Sequence, residues 1–367
     1  MNTRRAISDG RLSVLLAVGA SLASAVSAAQ SPTWSVQALP NISGGTATSV
    51  SGINSAGEAV GSVGGGSSAC PAGCPAVWSD GTATLLGSVA GATGTAAYSI
   101  NNSGQVAGTA VIAGSSQAIV WNNGTPTLLP SPGAPYTQTF AAYLNDSGQV
   151  VGQASGQVNG AQQVVATVWN GSTPTVLGLL SGYSTGEAWG INSNGLIVGK
   201  ICCNGQQSEA VVWHGTNASL LPVLKPTKGD GGEALAVNNS GVTVGHADNA
   251  QGSNNGATAW ANGVLTSLGS LYKGSYATAL NDRGIIVGYS ATQSSGQHAV
   301  IWSRIGAPPV DLNTLISATA AKEITLTQAT GINDHCAIVA NGVTNKTGAS
   351  MGFLLILNEP ASCVNGL

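Results

Sequence analysis

Hydrophobic and polar positions follow one short pattern that recurs along the whole chain. The pattern is apolar–Asn–x–x–Gly–x–x–apolar–Gly, and its last copy carries Cys336 and Ala340 in place of the two glycines. The copies lie at residues 53–61, 100–108, 144–152, 191–199, 237–245, 280–288 and 332–340. Their spacing of about 46 residues is in the range of propeller and solenoid repeats.

Two further apolar segments recur within each period. The first ends in Trp and occurs at Trp78, Trp121, Trp169, Trp213, Trp260 and Trp302, with a last copy at 353–357 that lacks Trp. The second follows a short polar turn, at 82–86, 125–129, 173–177, 217–221 and 264–268, with a weaker copy at 310–315. These short segments are rich in β-branched and aromatic residues and end at turn residues, which predicts strands. Sustained helical spacing is absent from the sequence, so a helical solenoid is excluded.

Four strands per period predict an all-β fold, a seven-bladed β-propeller with four-stranded blades. In chain order we name them a, b, c and d, which lie at 59–62, 76–78, 82–86 and 96–101 in the first period. Strand a is expected to be innermost, because its glycines permit close backbone approach. The N-terminal segment supplies strands c and d (34–39, 46–54), and the C-terminal segment supplies a and b (337–340, 352–357). Pairing of these half-blades would close the ring, whereas the alternative, an open β-solenoid, would not need them.

The first 28 residues have the pattern of a secretory signal peptide. Arg4, Arg5 and Arg11 precede an apolar run at 12–26, and small residues follow at the expected cleavage site. The run is too short to span a membrane, and a second apolar segment is absent from the sequence. We expect a signal peptide at 1–28, one repeat domain at 29–358 and a tail at 359–367, with secretion to the periplasm or the medium.

The composition limits the classes of partner. Charged residues make up 7% of the chain, against about 25% in ordinary soluble domains. Between Leu12 and Gly199 there is no Lys or Arg, so the sequence provides no basic stripe for nucleic acid. We expect a monomer without a cofactor, a metal, a nucleic-acid partner or a membrane span.

The repeated phrases resemble the bacterial extracellular repeats named for the tripeptide His-Ala-Phe. Residues 297–302, Gln-His-Ala-Val-Ile-Trp, match that family's His-Ala-Phe-Leu-Trp segment, and residues 352–355 keep the Phe. Most copies lack the His, so this chain is similar to a divergent member. The resemblance covers the chain after the signal peptide and implies secretion and a propeller-like fold. It implies no activity and no catalytic residues.

Six cysteines in an exported chain predict disulfides. Cys70 and Cys74 flank three residues in one loop, Cys202 and Cys203 are adjacent, and a bridge between Cys336 and Cys363 would fasten the ring closure. The alternative is a metal site formed by Cys70 and Cys74 or by Cys202 and Cys203. Their loops contain no His, and export favours disulfides.

Aromatic residues fall into two groups by position. The six repeated Trp residues are expected to pack between blades and to donate their indole N–H groups to neighbouring backbone, and Trp189 and Tyr98 are assigned a packing role as well. Tyr136, Tyr183, Tyr272 and Tyr276 instead precede or begin d strands. The turns b-to-c and d-to-a share one face of the ring, and the long connections a-to-b and c-to-d share the other. Because binding residues concentrate on loops over a rigid scaffold, these four tyrosines are the better ligand candidates.

Acidic residues beside the long connections are the remaining candidates. Five of them could approach one another on the long-loop face: Glu187, Glu209, Asp230, Glu233 and Asp248. The long connections are expected at 64–74, 131–139, 153–163, 225–232, 248–257 and 317–328. The four His residues occupy different positions in the repeat, and the sequence contains no catalytic motif.

These observations predict a secreted, non-catalytic propeller that binds a glycan, a cell-wall polymer or a protein through its long-loop face. The alternative is a secreted propeller hydrolase or lyase that cleaves polysaccharide with carboxylates of the same face. No catalytic residue is assigned.

Overall fold

The computed structural model describes residues 34–42, 48–64, 73–202, 208–223, 231–248, 255–294, 296–359 and 363. The predicted signal peptide, Asp230, Cys70 and Cys203 lie outside these residues. The regular secondary structure of the described chain is almost entirely strand, and its named helical elements are one short α-helix, α1 (Ala318–Glu323), and one 3₁₀ turn, Leu312–Thr314.

The strands form seven four-stranded antiparallel sheets, each a blade, which confirms the predicted seven-bladed propeller. The strands of each blade are given in the order in which they neighbour one another in the sheet. Blade 1 contains β2 (Thr48–Ile53), β3 (Ala59–Val63), β4 (Cys74–Ser79) and β5 (Thr82–Leu85); blade 2 contains β6 (Ala92–Ile100), β7 (Val106–Ile112), β8 (Ser115–Asn122) and β9 (Thr125–Leu128); blade 3 contains β10 (Tyr136–Leu144), β11 (Gln149–Val158), β12 (Ala161–Asn170) and β13 (Thr173–Val176); and blade 4 contains β14 (Thr185–Ile191), β15 (Leu196–Cys202), β16 (Glu209–His214) and β17 (Asn217–Leu220). Blade 5 contains β18 (Gly232–Val237), β19 (Thr243–Asp248), β20 (Asn255–Ala261) and β21 (Val264–Ser267); blade 6 contains β22 (Ser275–Leu280), β23 (Ile286–Ala291), β24 (Gln297–Trp302) and β25 (Val310–Asp311); and blade 7 contains β26 (Ile324–Ile332), β27 (Ile338–Thr344), β28 (Ser350–Leu357) and β1 (Trp34–Ala38).

The innermost strand of each blade is strand d, and the expectation that strand a lies there is wrong. Every sheet has the order d-a-b-c, and residues of the d strands line the central channel. The glycine of strand a is needed for a different close approach. A Cβ added at Gly199 would lie 2.0 Å from the carbonyl oxygen of Glu187 in the adjacent d strand, and Gly61 and Gly245 are crowded in the same way.

The ring closes by pairing the two ends of the chain, as predicted, but with a different division of strands. Blade 7 takes three strands from the C-terminal segment and one, β1, from the N-terminal segment. The N-terminal d strand, β2, belongs to blade 1. The half-blade division is wrong because d begins a blade instead of ending one. β1 pairs with β28 from Trp34 opposite Leu357 to Ala38 opposite Phe353.

Two further segments differ from their predicted form. Residues 153–163 are not a long loop, because β11 and β12 continue to a tight hairpin at Asn159 and Gly160, whose φ angles of 51° and 79° match the twist of the strands. The last c strand is only two residues long. Asp311 accepts a hydrogen bond from the Asn313 N–H and so starts a 3₁₀ turn in place of strand.

Each repeated Trp ties its blade to the preceding connection through its indole N–H. Trp121 donates to the Gly87 carbonyl oxygen at 2.8 Å, and Trp302 donates to that of Leu268 at 2.7 Å. The other four make the same bond: Trp78 to Pro40, Trp169 to Pro130, Trp213 to Gly178 and Trp260 to Pro222. All six side chains are at most 3% exposed, so in the structure they are part of the core.

The repeated Asn residues form a closed ring of hydrogen bonds on the tight-turn face. The Nδ2 group of each donates to the main-chain oxygen of the next Asn around the ring, over the sequence Asn54, Asn101, Asn145, Asn192, Asn238, Asn281 and Asn333. Asn333 donates back to Asn54 at 3.0 Å and completes the circle. The Asn is therefore more than a turn residue, because it joins neighbouring blades.

Candidate binding site in the central channel

Every d strand contains a β-bulge toward its tight-turn end, and the residue at this bulge faces the central channel. The register of β14, for example, shifts between Ala188 and Gly190, which leaves Trp189 without a cross-strand partner. The seven bulged residues line one cavity of about 490 Å³: Ser51, Tyr98, Ala142, Trp189, Leu235, Thr278 and Thr330. Bulges re-aim side chains beside functional sites, and here they give the channel wall one variable residue per blade.

Three aromatic rings form an arc on one side of the channel. The Tyr98 and Phe140 ring centres are 5.0 Å apart, and those of Phe140 and Trp189 are 6.2 Å apart with an edge-to-face angle of 75°. All three line the cavity, so blades 2, 3 and 4 present a continuous aromatic surface. Tyr98 and Trp189 are thus channel residues, a role that the sequence did not reveal.

Buried polar atoms without a protein partner surround this arc. Ser99 Oγ and Trp189 Nε1 belong to residues that line the cavity, and Thr109 Oγ1 and Gln153 Oε1 lie on the adjacent a strands. Ser99 is 1% exposed. A buried polar group without a partner costs about 1–3 kcal/mol, so a hydrogen bond from a ligand or water to any of these atoms would relieve that cost.

A charged cluster lies beside Trp189, where blades 4 and 5 meet. Lys200 Nζ lies 3.1 Å from Glu187 Oε2 and 3.0 Å from Glu233 Oε1, and 5.6 Å from the centre of the Trp189 ring. Burial by itself lowers the pKa of Lys200, but the two carboxylates outweigh it and raise the pKa above the ordinary value. Lys200 is therefore a fixed cation against the aromatic arc.

His246 and two tyrosines continue the cluster into blade 6. The His246 ring centre lies 4.5 Å from that of Tyr276, which stacks on Tyr289 at 4.9 Å. Burial lowers the pKa of His246 against the opposing effect of Glu233 and Asp248, and His246 Nδ1 is buried without a partner. Burial, then Tyr276 and Glu233, raise the pKa of Tyr289 to about 12. A crevice of about 290 Å³ opens here, lined by Lys200, Glu233, His246 and Asp248 among others.

One sequence position generates much of this chemistry. This position directly follows the second Gly of the repeat; in the last copy it follows Ala340, which replaces that Gly. Its residue lies directly opposite a residue of strand d, as Lys200 lies opposite Glu187 and His246 opposite Glu233. Around the ring this position holds Ser62, Thr109, Gln153, Lys200, His246, Tyr289 and Asn341. The glycine stays the same while its neighbour varies, and that contrast is the sequence signal that could have located the site.

The candidates from sequence separate into two groups. Glu187, Glu233 and Tyr276 meet in the cluster, at the long-loop ends of d strands and not on loops. Asp248 lines the crevice next to them.

The other four described candidates lie elsewhere. The Tyr136 hydroxyl donates a hydrogen bond to Gln163 Oε1 at 3.4 Å. Tyr272 is 50% exposed, and Lys273 Nζ lies 5.3 Å from the centre of its ring. Burial and then the charge of Glu209 raise the pKa of Tyr183, so Tyr183 and Glu209 lie near each other.

The cysteines follow the predicted oxidised state. Cys336 and Cys363 form a disulfide, with their Cα atoms 5.9 Å apart. Cys74 and Cys202 are disulfide-bonded as well, and their predicted partners lie outside the described residues. Within the described part of the chain, no group of three or more His, Cys, Asp or Glu side chains could hold a metal ion. None of the helices in that part has the length and apolarity needed to cross a membrane.

Comparison with known proteins identifies the fold. The sequence matches no protein-family model and no curated protein. Among solved structures, the β-propeller domain of the trilobed protease from Pyrococcus furiosus, which has an open velcro topology, is 9% identical with a TM-score of 0.57 over 85% of this chain and 99% of that one.

Two enzymes of known structure are similar in fold to most of this chain. A prolyl endopeptidase is 10% identical with a TM-score of 0.52 over 89% of this chain, and a puromycin hydrolase is 11% identical with a TM-score of 0.54 over 82%. This chain spans only 51% and 52% of those two proteins. At such identities the likeness establishes the propeller fold alone.

Proposed function

We propose that this protein is a secreted, non-catalytic β-propeller that binds an uncharged, ring-containing ligand, of which a glycan is the leading example, in its central channel. The aromatic arc formed by Tyr98, Phe140 and Trp189, set among unpartnered buried polar atoms, carries this proposal. A preformed cavity with apolar walls and a few convergent polar groups is the ordinary form of a small-molecule site.

The chemistry of the wall favours a neutral ligand. Among the described residues that line the channel, none carries a formal charge. Aromatic faces pack against the apolar faces of sugar rings, and the wall residues Ser99 and Trp189 carry a hydroxyl and an indole N–H that have no protein partner. Secretion is supported by Cys74, Cys202 and the Cys336–Cys363 pair, because disulfides persist in oxidising compartments.

The carboxylates of the cluster fit a structural role better than hydrolysis. Glu187 and Glu233 both hold Lys200, whereas glycoside cleavage needs one protonated carboxyl as a general acid and a second one facing it across the substrate. No observation favours the hydrolase or lyase alternative over binding.

The proposal is tested by titrating the mature protein with cello-, malto-, xylo- and chito-oligosaccharides and following thermal unfolding and Trp fluorescence. A ligand at 100 times its dissociation constant raises the stability of the folded state by about 2.7 kcal/mol. Trp189→Ala should weaken binding of that ligand at least about thirtyfold, the loss expected for an aromatic hot spot.

Tyr272→Ala is the matched control, since Tyr272 is an exposed aromatic residue on the long-loop face. It should bind as the unchanged protein does. Binding that survives Trp189→Ala but is lost in Tyr272→Ala would place the site on the loops. Absence of binding to every oligosaccharide would refute the glycan assignment.

A further inference from the structure

The channel ends toward the tight-turn face near the apolar residue that precedes each repeated Asn. Residues at this position line both the channel and a smaller vestibule of about 130 Å³ below it: Ile53, Ile100, Ile191, Val237, Leu280 and Ile332. The vestibule itself is bounded by the ring of Asn side chains. The apolar position of the repeat thus lies at the boundary between the two cavities.

Tyr143 is the one large side chain at its level of the ring. The corresponding positions in the other blades, one residue after each bulge, hold Gly52, Ser99, Gly190, Ala236, Ala279 and Gly331. Tyr143 lines both the channel and the vestibule and is 43% exposed. A side chain buried between blades would not keep that exposure, so Tyr143 projects into the bore.

Charges from the opposite wall act on the phenol of Tyr143. In a ring of seven, blade 3 faces blades 6 and 7, which carry Asp282 and Asp334. Protein surrounds the enclosed bore, and this desolvation, followed by the charges of Asp146, Asp282 and Asp334, raises the pKa of Tyr143. Carboxylates from both sides of the ring therefore act on a single phenol, which agrees with a side chain that crosses the axis.

We propose that Tyr143 closes the channel at the tight-turn face, so that the site accepts the end of a chain or a discrete small molecule and does not thread a polymer. This inference rests on the proposed function for its ligand, but the closure itself is a property of the fold. A ligand would enter from the long-loop face, past Trp189, and end against Tyr143.

Acrylamide quenching of Trp fluorescence tests the closure without any ligand. Trp189 is partly exposed, whereas the other seven Trp residues are at most 3% exposed, so quenching reports access to the channel. Tyr143→Ala should raise the quenching constant about twofold, because a second opening about doubles the productive approaches to the channel. Tyr143→Phe, which keeps the ring, should match the unchanged protein.

Alanine is compatible with this position, since Ala236 and Ala279 occupy it in blades 5 and 6, and a thermal melt checks that the variant is folded. Equal quenching in the unchanged protein and in Tyr143→Ala would overturn the closure. This result is independent of whether any oligosaccharide binds, so it separates failure of the closure from failure of the proposed function.

An oligosaccharide length series tests the consequence for the ligand. In the unchanged protein, affinity should stop rising once the chain fills the channel. In Tyr143→Ala, each additional ring that finds contacts in the vestibule should tighten binding by more than about tenfold. A plateau at the same length in both proteins would overturn end recognition.

Discussion

His246 occupies the strand-a position, beside the channel wall, at which other blades carry neutral hydrogen-bonding side chains or a lysine. Its Nδ1 atom is buried without a partner, and the groups that face it are Glu233 across the strand pair, Asp248 on its own strand, Lys200 in blade 4 and the Tyr276 ring in blade 6. Burial prevails over the two carboxylates and lowers its pKa. The imidazole is therefore neutral at pH 7.

A lowered histidine pKa makes folding sensitive to acid. The unfolded chain takes up a proton near the ordinary value of about 6.5, while the folded protein resists it, so the unfolded state binds more protons as the pH falls. The free energy of unfolding should therefore decrease below about pH 6.5. His246→Gln should lose less stability between pH 7 and pH 5 than the unchanged protein, as measured by urea unfolding.

His214→Gln provides the comparison, because His214 is exposed at the end of β16. Its stability profile with pH should follow that of the unchanged protein. If His246→Gln and the unchanged protein lose stability in parallel, the buried imidazole does not set the acid response.

At the scale of the element, the turn that contains the repeated Asn connects strands d and a within a blade and also bonds that blade to the next. Asn145 Oδ1 accepts hydrogen bonds from the N–H groups of Ser147 and Gln149, and Asn145 Nδ2 donates to the Asn192 oxygen of the next blade at 3.0 Å. The side chain is 5% exposed. One residue thus satisfies the turn and the contact between blades together.

Asn145→Ala should destabilise the protein by at least about 2 kcal/mol, since it leaves two partly buried N–H groups and one buried carbonyl oxygen without their partner. Asp146→Ala is the control in the same turn. Asp146 accepts from Asn102 on the exposed surface, where such a loss costs about 0.5 kcal/mol or less. Denaturant unfolding of both variants measures the difference, and equal losses would contradict the role of the ring.

The strands were predictable because short apolar segments between turn residues repeat with one period. The order of strands within a blade was not, since the Gly of strand a signals close approach without showing which backbone approaches; at Gly199 it is the carbonyl of Glu187. The channel wall was hidden for a related reason. Trp189 and Tyr98 lie at bulges, and a bulge shifts register by one residue without a fixed residue type, so their equivalent positions in strand d suggested the packing role of the repeated Trp residues.

The sequence indicated some residues of the charged cluster and not others, because it shows residue types and strand ends but not the packing of strand interiors. Glu187, Glu233 and Tyr276 were found because charge and aromatic rings near strand ends are conspicuous. Lys200 and His246 were missed, because they lie in the interior of strand a, where sequence alone does not distinguish a channel neighbour from a core residue.

At the scale of the molecule, three groups meet at the closure of the ring. The Trp34 Nε1 of β1 donates to the Cys336 carbonyl oxygen at 3.3 Å, and Cys336 is bonded to Cys363 beyond the last strand. Cys336 also has a φ of 61°, in the left-handed region, where the other six turns have Gly with φ between 74° and 84°. The closing turn therefore has a disulfide-bonded Cys at the position where the other turns have a Gly, which adopts this conformation without strain.

Two double variants measure the contribution of the disulfide and the cost of the left-handed Cys336 backbone. Cys336→Ala with Cys363→Ala removes a cross-link over a sequence separation of 27 residues, which corresponds to about 3.5 kcal/mol of chain entropy, and it keeps a side chain at positive φ. Cys336→Gly with Cys363→Ala removes the same cross-link and relieves the backbone, so it should be about 1 kcal/mol more stable than the first.

Denaturant unfolding of the two variants beside the unchanged protein gives both quantities. The loss common to both is the contribution of the cross-link, and the difference between them is the cost of the left-handed cysteine. Equal stability of the two variants would show that the closing turn relaxes once the bridge is gone. In that case it is the disulfide that holds Cys336 in the conformation that glycine adopts elsewhere, and the Asn ring alone does not hold it there.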